Sequence, residues 1–223
     1  MVHDFHTHSI HSDGVLTVAE LVRRAETRGI KVLGITDHVD PSNLTEVISG
    51  VAKACRALRE HVGILAVPGV EITHAPPDLI ADLIAESRGR GCPLVVVHGE
   101  TPVEPVKPGT NRAAILGGAD ILAHPGLITD EDVALAREKG TYLELSGRRG
   151  HCLANGHVAA RARAAGVPLV VSSDAHMPED ILDAESWTMV ALGAGLDRAD
   201  VERIVADSAR LAASLELQIR NQS

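Results

Sequence analysis

Aromatic side chains are scarce in this sequence. Its 223 residues include one Trp, one Tyr and one Phe, or 1% of the chain. The core must therefore be built from Val, Ile, Leu and Ala, and a chain of this length can bury a sizeable core. Proteins that bind single-stranded nucleic acid stack bases on aromatic rings, so the composition argues against that class.

Cysteine and positive charge are also in short supply. The three cysteines, Cys55, Cys92 and Cys152, are widely spaced and form no CxxC pair, which argues against a disulfide framework and a thiolate zinc site. This usage fits a reducing, cytoplasmic compartment. The formal net charge of -9 makes long nucleic acid an unexpected partner, but it permits a local basic pocket for one phosphate.

Long apolar runs are absent as well. No stretch approaches the length of a membrane span, and no basic segment followed by an apolar one opens the chain, so we expect neither a membrane anchor nor a signal peptide. The sequence has no low-complexity segment, internal repeat or interdomain linker. It therefore predicts a single domain over residues 1–223.

Short β-branched and Leu-rich runs alternate with longer amphipathic stretches. The runs predict seven strands, near Val2–His6, Val32–Thr36, Ile64–Val70, Leu94–Val97, Asp120–Ala123, Tyr142–Leu145 and Leu169–Ser172. Helical patterns cover Val18–Thr27, Leu44–His61, Pro77–Arg88, Asn111–Leu116, Asp130–Lys139, His157–Ala165, Asp180–Leu192 and Ala199–Leu217. This alternation implies parallel strands joined by helical crossovers.

Most of the predicted strands are apolar along their whole length, as expected when both faces are buried. Seven strand–helix units suit a closed or nearly closed barrel. An open doubly wound sheet is the competing fold, but no GxGxxG follows the first strand, which weakens the dinucleotide-binding version of that alternative.

Potential metal ligands follow six of the seven predicted strands. They are His6, His8, Asp13, Asp37, His38, Glu71, His98, His124, Asp174 and His176. In a parallel barrel the carboxyl ends of the strands share one face, where active sites form. Unpaired buried charges would be costly, so a shared cation explains this set better than separate structural roles.

The types of ligand indicate the metals. In His6-Thr7-His8 the alternation of a strand puts both imidazoles on one side, and Asp174-Ala175-His176 repeats the spacing with one carboxylate. No cysteine accompanies the set. Imidazole combined with carboxylate suits Zn, Mn or Fe(II), and a Glu can bridge two ions with its two oxygens.

Taken in order, these pieces resemble the PHP (polymerase and histidinol phosphatase) family. The matching segments are His6-Thr7-His8 with Ser12-Asp13-Gly14, Ile35-Thr36-Asp37-His38, Gly69-Val70-Glu71, Val97-His98, Ala123-His124-Pro125-Gly126 and Ser173-Asp174-Ala175-His176. They match the family's nine ligand positions in order and type, from His6 to about His176. The resemblance implies a distorted (β/α)7 TIM-like barrel of the PHP type.

The resemblance also implies how nine ligands divide among two or three divalent metals. One metal would take His6, His8, Glu71 and Asp174; a second would take Glu71, His98 and His124; a third would take Asp13, His38 and His176. Glu71 would then bridge the first two metals.

Such a cluster predicts hydrolysis of a phosphate ester by a metal-activated hydroxide, with Glu71, Asp174 and His176 as catalytic residues. Because the family includes histidinol-phosphate phosphatases, a small phosphate monoester is the expected substrate and histidinol phosphate the specific candidate. The alternatives are a nucleotide or oligonucleotide phosphodiesterase with the same metals, and a non-catalytic metal-binding barrel. A related amidohydrolase is disfavoured, because Glu71 stands where those enzymes typically carry a bridging Lys.

An anionic substrate also needs a cationic contact. Arg148 and Arg149 follow the sixth strand, and a planar guanidinium suits phosphate oxygens. Arg148 is the preferred catalytic contact, and Arg112 is a lesser candidate.

Other polar residues have less defined roles. Asp37 either orients a ligand imidazole or holds a loop. We interpret His3, His11, His61, His74 and His157 as structural or exposed, and His151 and Cys152 as structural or adjacent to substrate.

Overall fold

The computed structural model of the chain describes residues 2–221. The strands are β1 (Val2–Asp4), β2 (Ile30–Ile35), β3 (His38–Val39), β4 (Leu65–Ile72), β5 (Leu94–His98), β6 (Ile121–Ala123), β7 (Tyr142–Ser146) and β8 (Leu169–Ser172). The α-helices are α1 (Val18–Thr27), α2 (Leu44–Leu58), α3 (Pro77–Gly89), α4 (Thr110–Gly117), α5 (Asp130–Lys139), α6 (Asn155–Ala165), α7 (Ala184–Gly193) and α8 (Arg198–Asn221). Short 3-10 helices occupy His151–Ala154 and Pro178–Asp180.

The strands pair in parallel in the order β1-β2-β4-β5-β6-β7-β8. The short β3 is a continuation of β2, because β2 pairs with Leu65–Pro68 of β4 and β3 pairs with the next part of the same strand. Strands that are neighbours along the chain are thus neighbours in space, without the reversal of order found in a doubly wound sheet. The predicted TIM-like barrel of seven parallel strands is confirmed.

The barrel closes along a seam between the segments that follow β1 and β8. The backbone N–H of Asp174 donates to the carbonyl of His6 (2.9 Å), and that of His8 donates to the carbonyl of Ala175 (2.8 Å). Below them, the buried carboxylate of Asp4 accepts a hydrogen bond from the N–H of Ser173 (3.1 Å). Regular β1 ends at Asp4, two residues earlier than predicted, because these isolated bonds replace a continuous ladder.

An apolar cluster fills the barrel interior. Its strand residues are Phe5, Val32, Val67, Leu94, Val96, Ile121, Ala123 and Val170, and they pack with Leu211, Ala212, Leu215 and Ile219 of α8. One face of α8 therefore packs against the inside of the barrel. The opposite faces of the strands pack against the surrounding helices in a larger core of Val, Ile, Leu and Ala, as the composition requires.

Capping residues account for several helix boundaries. Thr17 and Thr129 accept hydrogen bonds from backbone N–H groups in the first turns of α1 and α5, and these two helices have the predicted limits. The helix predicted to start at Asp180 begins four residues later, because Asp183 caps α7 by accepting from the N–H of Ser186. Among residues 2–221, no helix is both long enough and apolar enough to cross a membrane.

Candidate metal centre

Alternate side chains of a strand point to the same face, and this places two of the predicted ligands on the inner side of the barrel. In β5, Leu94 and Val96 belong to the inner core, and His98 is the next residue on that side. In β4, the same spacing leads from Val67 to Glu71. Both side chains lie at the carboxyl ends of their strands and are almost inaccessible, with 0% of Glu71 and 2% of His98 exposed.

Glu71 lies at the centre of the cluster. Its Oε2 is 3.3 Å from Nε2 of His6 and 3.7 Å from Nε2 of His8. Oδ1 of Asp174 lies 3.7 Å and 3.1 Å from the same two nitrogens. Ligands bound at about 2.0–2.2 Å from one ion stand at such separations. The structure therefore brings together all four residues predicted to hold the first metal.

The three residues predicted for the third metal also meet. Oδ1 of Asp13 is 3.5 Å from Nε2 of His38 and 3.1 Å from Nε2 of His176. Nδ1 of His8 lies 4.0 Å from the same oxygen, so His8 stands between this group and the first. On the other side, Nδ1 of His38 is 2.7 Å from Oε2 of Glu71.

The set predicted for the second metal is arranged differently. Nε2 of His124 lies 3.5 Å from Oε1 of Glu71, so Glu71 presents one oxygen to His124 and the other to His6, as a bridging carboxylate requires. His98 groups with His124 and His151, whose ring nitrogens lie within 4.8 Å of one another. His151 is thus closer to the cluster than its place in the sequence indicated.

Buried polar atoms without hydrogen bonds support a cation in this cluster. Within residues 2–221 they include Nε2 of His6, both ring nitrogens of His8, Oε1 of Glu71 and Nδ1 of His124. Each such atom costs about 1–3 kcal/mol when it is left without a partner. Imidazole and carboxylate donors suit divalent Zn, Mn or Fe, so the residues present fit a divalent metal centre.

Burial and neighbouring charge shift the pKa values of the cluster. Burial raises the pKa of Asp174 to about 7, against the opposing effect of His6. Burial alone would raise the pKa of Glu71, but His6 and His38 outweigh it and hold that pKa well below its usual range. Conversely, burial lowers the pKa of His6, and the carboxylates of Glu144, Glu71 and Asp174 more than reverse this. Glu71 and Asp174, the two carboxylates that face Nε2 of His6, therefore differ in proton affinity.

Glu144 positions two of the predicted ligands. Fully buried in β7, it accepts hydrogen bonds from Nδ1 of His6 (2.8 Å) and from the backbone N–H of His124 (3.0 Å). This contact leaves Nε2 of His6 facing Glu71. Sequence reasoning missed Glu144, although a lone acidic residue within the otherwise apolar run of the sixth predicted strand was an available signal.

Replacing Glu144 by Gln is expected to weaken divalent metal binding by about 10–100-fold, the usual cost of losing the carboxylate that orients a ligand imidazole. Competition with a chromophoric chelator measures the affinity. The same change at Glu138, an exposed residue paired with Lys139, is the matched control. Equal affinities in the two variants would contradict the positioning role.

Asp37 holds the loop that carries Asp13. Its carboxylate accepts hydrogen bonds from the N–H and hydroxyl of Ser9 (2.8 and 2.7 Å) and from the hydroxyl of Ser12 (2.8 Å). Nδ1 of His38 contacts the hydroxyl of Thr73 instead (2.7 Å). Of the two interpretations of Asp37, the structure therefore shows the loop contact.

The three candidate arginines have different surroundings. Nη1 of Arg148 lies 2.7 Å from Nδ1 of His176 and 3.2 Å from the carbonyl oxygen of Asp174, with about a third of the side chain exposed. Arg149 is exposed. Arg112 pairs with Asp132 at 2.7 Å. Arg148 is thus the one of the three that contacts predicted ligands.

The remaining histidines fall into two groups. His11 lies against Gly50 of α2, and His157 contacts the carbonyl of Ile128 at 2.8 Å. His3 is buried beside β2, and His61 is exposed. His74 and His151, by contrast, reach a carboxylate at the edge of the site, Glu104, at 3.3 and 3.4 Å.

The cluster opens into a cleft of about 40 Å³, lined by six of the predicted ligands with Glu104, Arg148 and His151. A pocket of about 440 Å³ adjoins it and shares Asp13, His38 and Glu104 as a common wall. The site thus combines a narrow, strongly polar cleft with a wider open pocket beside it.

Comparison with known proteins gives relatives of two kinds. An uncharacterized protein of Methanocaldococcus jannaschii, MJ1295, is 44% identical over 201 residues, which cover 89% of this chain and 92% of the relative. A 5'-3' exoribonuclease of Haemophilus influenzae is 44% identical over 71 residues, but these cover only 32% of this chain and 23% of that enzyme.

Solved structures share the fold at low identity. A chain in a structure of archaeal ribonuclease P with mature tRNA has a TM-score of 0.73 and 17% identity, over 97% of this chain and 93% of that chain. Histidinol phosphate phosphatase from Lactococcus lactis, bound to zinc, L-histidinol and phosphate, has a TM-score of 0.60 and 15% identity, over 87% of this chain and 94% of that chain.

The model of the PHP domain matches residues 4–148, which contain seven of the nine predicted ligands. Asp174 and His176 lie beyond the match, but the structure brings both to the same centre. Together with the barrel and the divalent metal centre, this match supports a metal-dependent phosphoesterase. The chain belongs to the PHP domain family.

Proposed function

We propose that the protein hydrolyses a small phosphate monoester, with histidinol phosphate as the specific candidate substrate. The observation that carries this proposal is the convergence of the nine predicted ligands, from six strand ends, on one cluster in which the two oxygens of Glu71 face His6 and His124 separately. Bound divalent metals would supply an activated water and neutralise charge on the phosphoryl oxygens. No Ser or Cys nucleophile is needed for such a reaction.

The side chains of the centre would hold this chemistry in place. Glu71 would bridge two positions, since its oxygens face His6 and His124 separately. Asp174 would complete the first position beside His8. His176 would hold the third position through Nε2, while its Nδ1 faces Arg148. The protein thus contributes metal-ligand atoms in fixed positions that are largely shielded from water.

Arg148 would contact the phosphate. Its guanidinium borders the narrow cleft and remains partly exposed beside the predicted third metal position. A guanidinium group presents several N–H donors in one plane, so one of them can contact His176 while others face a phosphate oxygen.

Replacing Arg148 by Ala is expected to raise KM for a phosphate monoester about 10–100-fold, because a hydrogen bond to a charged group contributes about 1.5–3 kcal/mol. Steady-state kinetics on metal-loaded protein measures this, with metal content checked in both proteins. Arg149→Ala is the matched control and should leave KM unchanged. An unaltered KM for the Arg148 variant would contradict its contact with the phosphate and would make Arg149 or Arg112 the next candidate.

The adjoining pocket supports a small leaving group. Pockets of about 300–1,000 Å³ accept small molecules, and this one has about 440 Å³. Its lining is polar, with residues such as Asp40, Ser42, Asn43 and His74, and among residues 2–221 it includes no Lys, Arg, Phe, Tyr or Trp. Such walls offer hydrogen bonds to a polar or cationic group, and they lack the Lys and Arg side chains that bind the phosphates of a long nucleic acid.

A nucleotide or oligonucleotide ester is the second candidate substrate. It is favoured by the segment of 71 residues that resembles a 5'-3' exoribonuclease. The same metal centre would serve both reactions, because hydrolysis of a monoester or a diester needs an activated water and charge neutralisation. The two candidates differ in what must fit into the adjoining pocket.

Phosphate release from a substrate panel tests the proposal. The panel contains histidinol phosphate, mononucleotides, a short oligonucleotide and a generic aryl phosphate, each with the Mn- or Zn-loaded protein. A kcat/KM for histidinol phosphate that exceeds the others by orders of magnitude would support the specific candidate. Preference for a nucleotide would favour the second candidate, and no release from any of them with metals bound would favour a non-catalytic metal-binding barrel.

A further inference from the structure

The loop between β5 and α4 brings an additional carboxylate to the metal centre. Glu100 closes this loop at its base, because its Oε1 accepts hydrogen bonds from the N–H groups of Gly109 and Asn111, both at 3.0 Å. Thr101 ties the loop sideways through a 2.8 Å contact between its hydroxyl and Nδ1 of His151. Glu104, in the middle of the loop, is therefore held over the cleft.

Three imidazoles surround the carboxylate of Glu104. Its Oε2 lies 3.0 Å from Nε2 of His98 and 3.3 Å from Nε2 of His74, and its Oε1 lies 3.4 Å from Nε2 of His151. Within residues 2–221 these imidazoles are its ion-pair partners, and neither Lys nor Arg is among them. Imidazoles surround the carboxylate of Glu71 in a similar way, and the donor atoms there fit a divalent ion.

The orientation of His98 aims its free nitrogen at this carboxylate. Nδ1 of His98 lies 3.1 Å from the carbonyl oxygen of Gly99, so Nε2 is the nitrogen available to a metal. The rings of His98 and His124 are 4.5 Å apart. An ion held by these two imidazoles would have Glu104 beside it, because 3.0 Å between Nε2 and Oε2 suits two ligands bound at about 2.0–2.2 Å.

Backbone strain sets His74 apart from the other histidines that the family pattern leaves out. Three described residues other than glycine have positive φ: His74 (53°), His124 (26°) and Asp174 (54°). Two of them are predicted ligands. Such conformations cost about 1–3 kcal/mol and cluster at functional sites. The strained turn after β4 places the imidazole of His74 on the outer side of Glu104.

We propose that Glu104 is a tenth metal ligand, which completes the ion held by His98 and His124, and that His74 holds this carboxylate from outside. Nothing in the nine-residue pattern assigns a role to either residue. The added negative charge would balance a position where imidazoles outnumber carboxylates. Because Glu104 comes from a rim loop and is 37% exposed, it would be the ligand of this ion most readily replaced by a substrate oxygen.

Zinc titration of the metal-free, full-length protein tests this assignment, with affinities measured by calorimetry and by competition with a chromophoric chelator. Glu104→Gln is expected to weaken one bound equivalent by about tenfold or more and to leave the others unchanged. His74→Asn is expected to weaken the same equivalent to a smaller extent, as the loss of an outer partner does. Glu138→Gln, the same chemical change at an exposed position, should bind zinc as the unaltered protein does.

Equal stoichiometry and affinity in the Glu104→Gln variant and the unaltered protein would overturn the proposal. A uniform loss of affinity at every position would also overturn it, because Glu104 would then support the loop and not one ion. Cobalt(II) in place of zinc gives a second measurement, since a lost carboxylate ligand changes the visible absorption of one equivalent only. These measurements report metal binding, so their outcome is independent of whether the protein hydrolyses any phosphate ester.

Discussion

Replacing Glu71 by Gln is expected to lower kcat by about 10³-fold or more, which corresponds to about 4 kcal/mol in the barrier. The side chain is fully buried, and its two oxygens face His6 and His124 at 3.3 and 3.5 Å. An amide keeps the shape but loses the negative charge and one of the two acceptor oxygens. Two metal positions should therefore lose occupancy together, which elemental analysis of the purified variant would detect.

A matched control separates this effect from a general change of charge. Glu138→Gln makes the same substitution at an exposed residue of α5 and should keep full activity and metal content. Circular dichroism of the Glu71 variant should show the secondary structure of the unaltered protein, since the barrel core lies below the centre. Full activity of a metal-replete Glu71→Gln protein would refute the bridging role.

Removing the metals is expected to lower the melting temperature by about 8–16 °C. A ligand present at about 1,000 times its Kd stabilises the folded state by about 4 kcal/mol. Each kcal/mol shifts Tm by about 2–4 °C in a domain of this size. Without ions, His6, His8 and Glu71 leave buried nitrogen and oxygen atoms without hydrogen bonds, and this cost falls on the folded state alone.

Thermal unfolding in excess EDTA, compared with the zinc- or manganese-loaded protein, measures the effect. EDTA already saturated with zinc controls for the chelator itself and should leave Tm at the loaded value. If free and zinc-saturated EDTA gave the same Tm, metal binding would not be coupled to the stability of the barrel.

The positions of the predicted strand-end ligands follow from the sequence because each depends on local features. A residue that follows an apolar strand must lie at the carboxyl end of that strand, and parallel pairing then brings all such ends to one face. The sequence therefore predicts that His6, Glu71 and Asp174 lie together, as they do in the structure.

Glu144 and Glu104 could not be placed in this way. Glu144 lies within a strand, and its role depends on facing inward at the level of His6 and His124, which requires the register between distant strands. Glu104 lies in a loop whose path is fixed by Glu100 and Thr101 through contacts with α4 and His151. Loop conformations of this kind are set by tertiary contacts and not by local propensity.

The sequence predicts that the sheet closes into a barrel, but it does not predict which hydrogen bonds close it. Seven strand–helix units imply a closed or nearly closed sheet, but the separate hydrogen bonds at the seam depend on how the segments after β1 and β8 meet. The early end of β1 and the late start of α7 also depend on particular contacts. At β1 the contact is the hydrogen bond between Asp4 and Ser173 across the seam, and at α7 it is the cap formed by Asp183.

The seam has a consequence for how the chain unfolds. Asp4 and Ser173, which meet there, are 169 positions apart, and the predicted ligands His6, His8, Asp174 and His176 flank the same junction. An ion bound between these ligands would act as a reversible cross-link between the two ends of the barrel, closing a loop that contains most of the chain. Opening the barrel would first require the ion to leave, so its rate of release would limit how fast the loaded protein loses its structure.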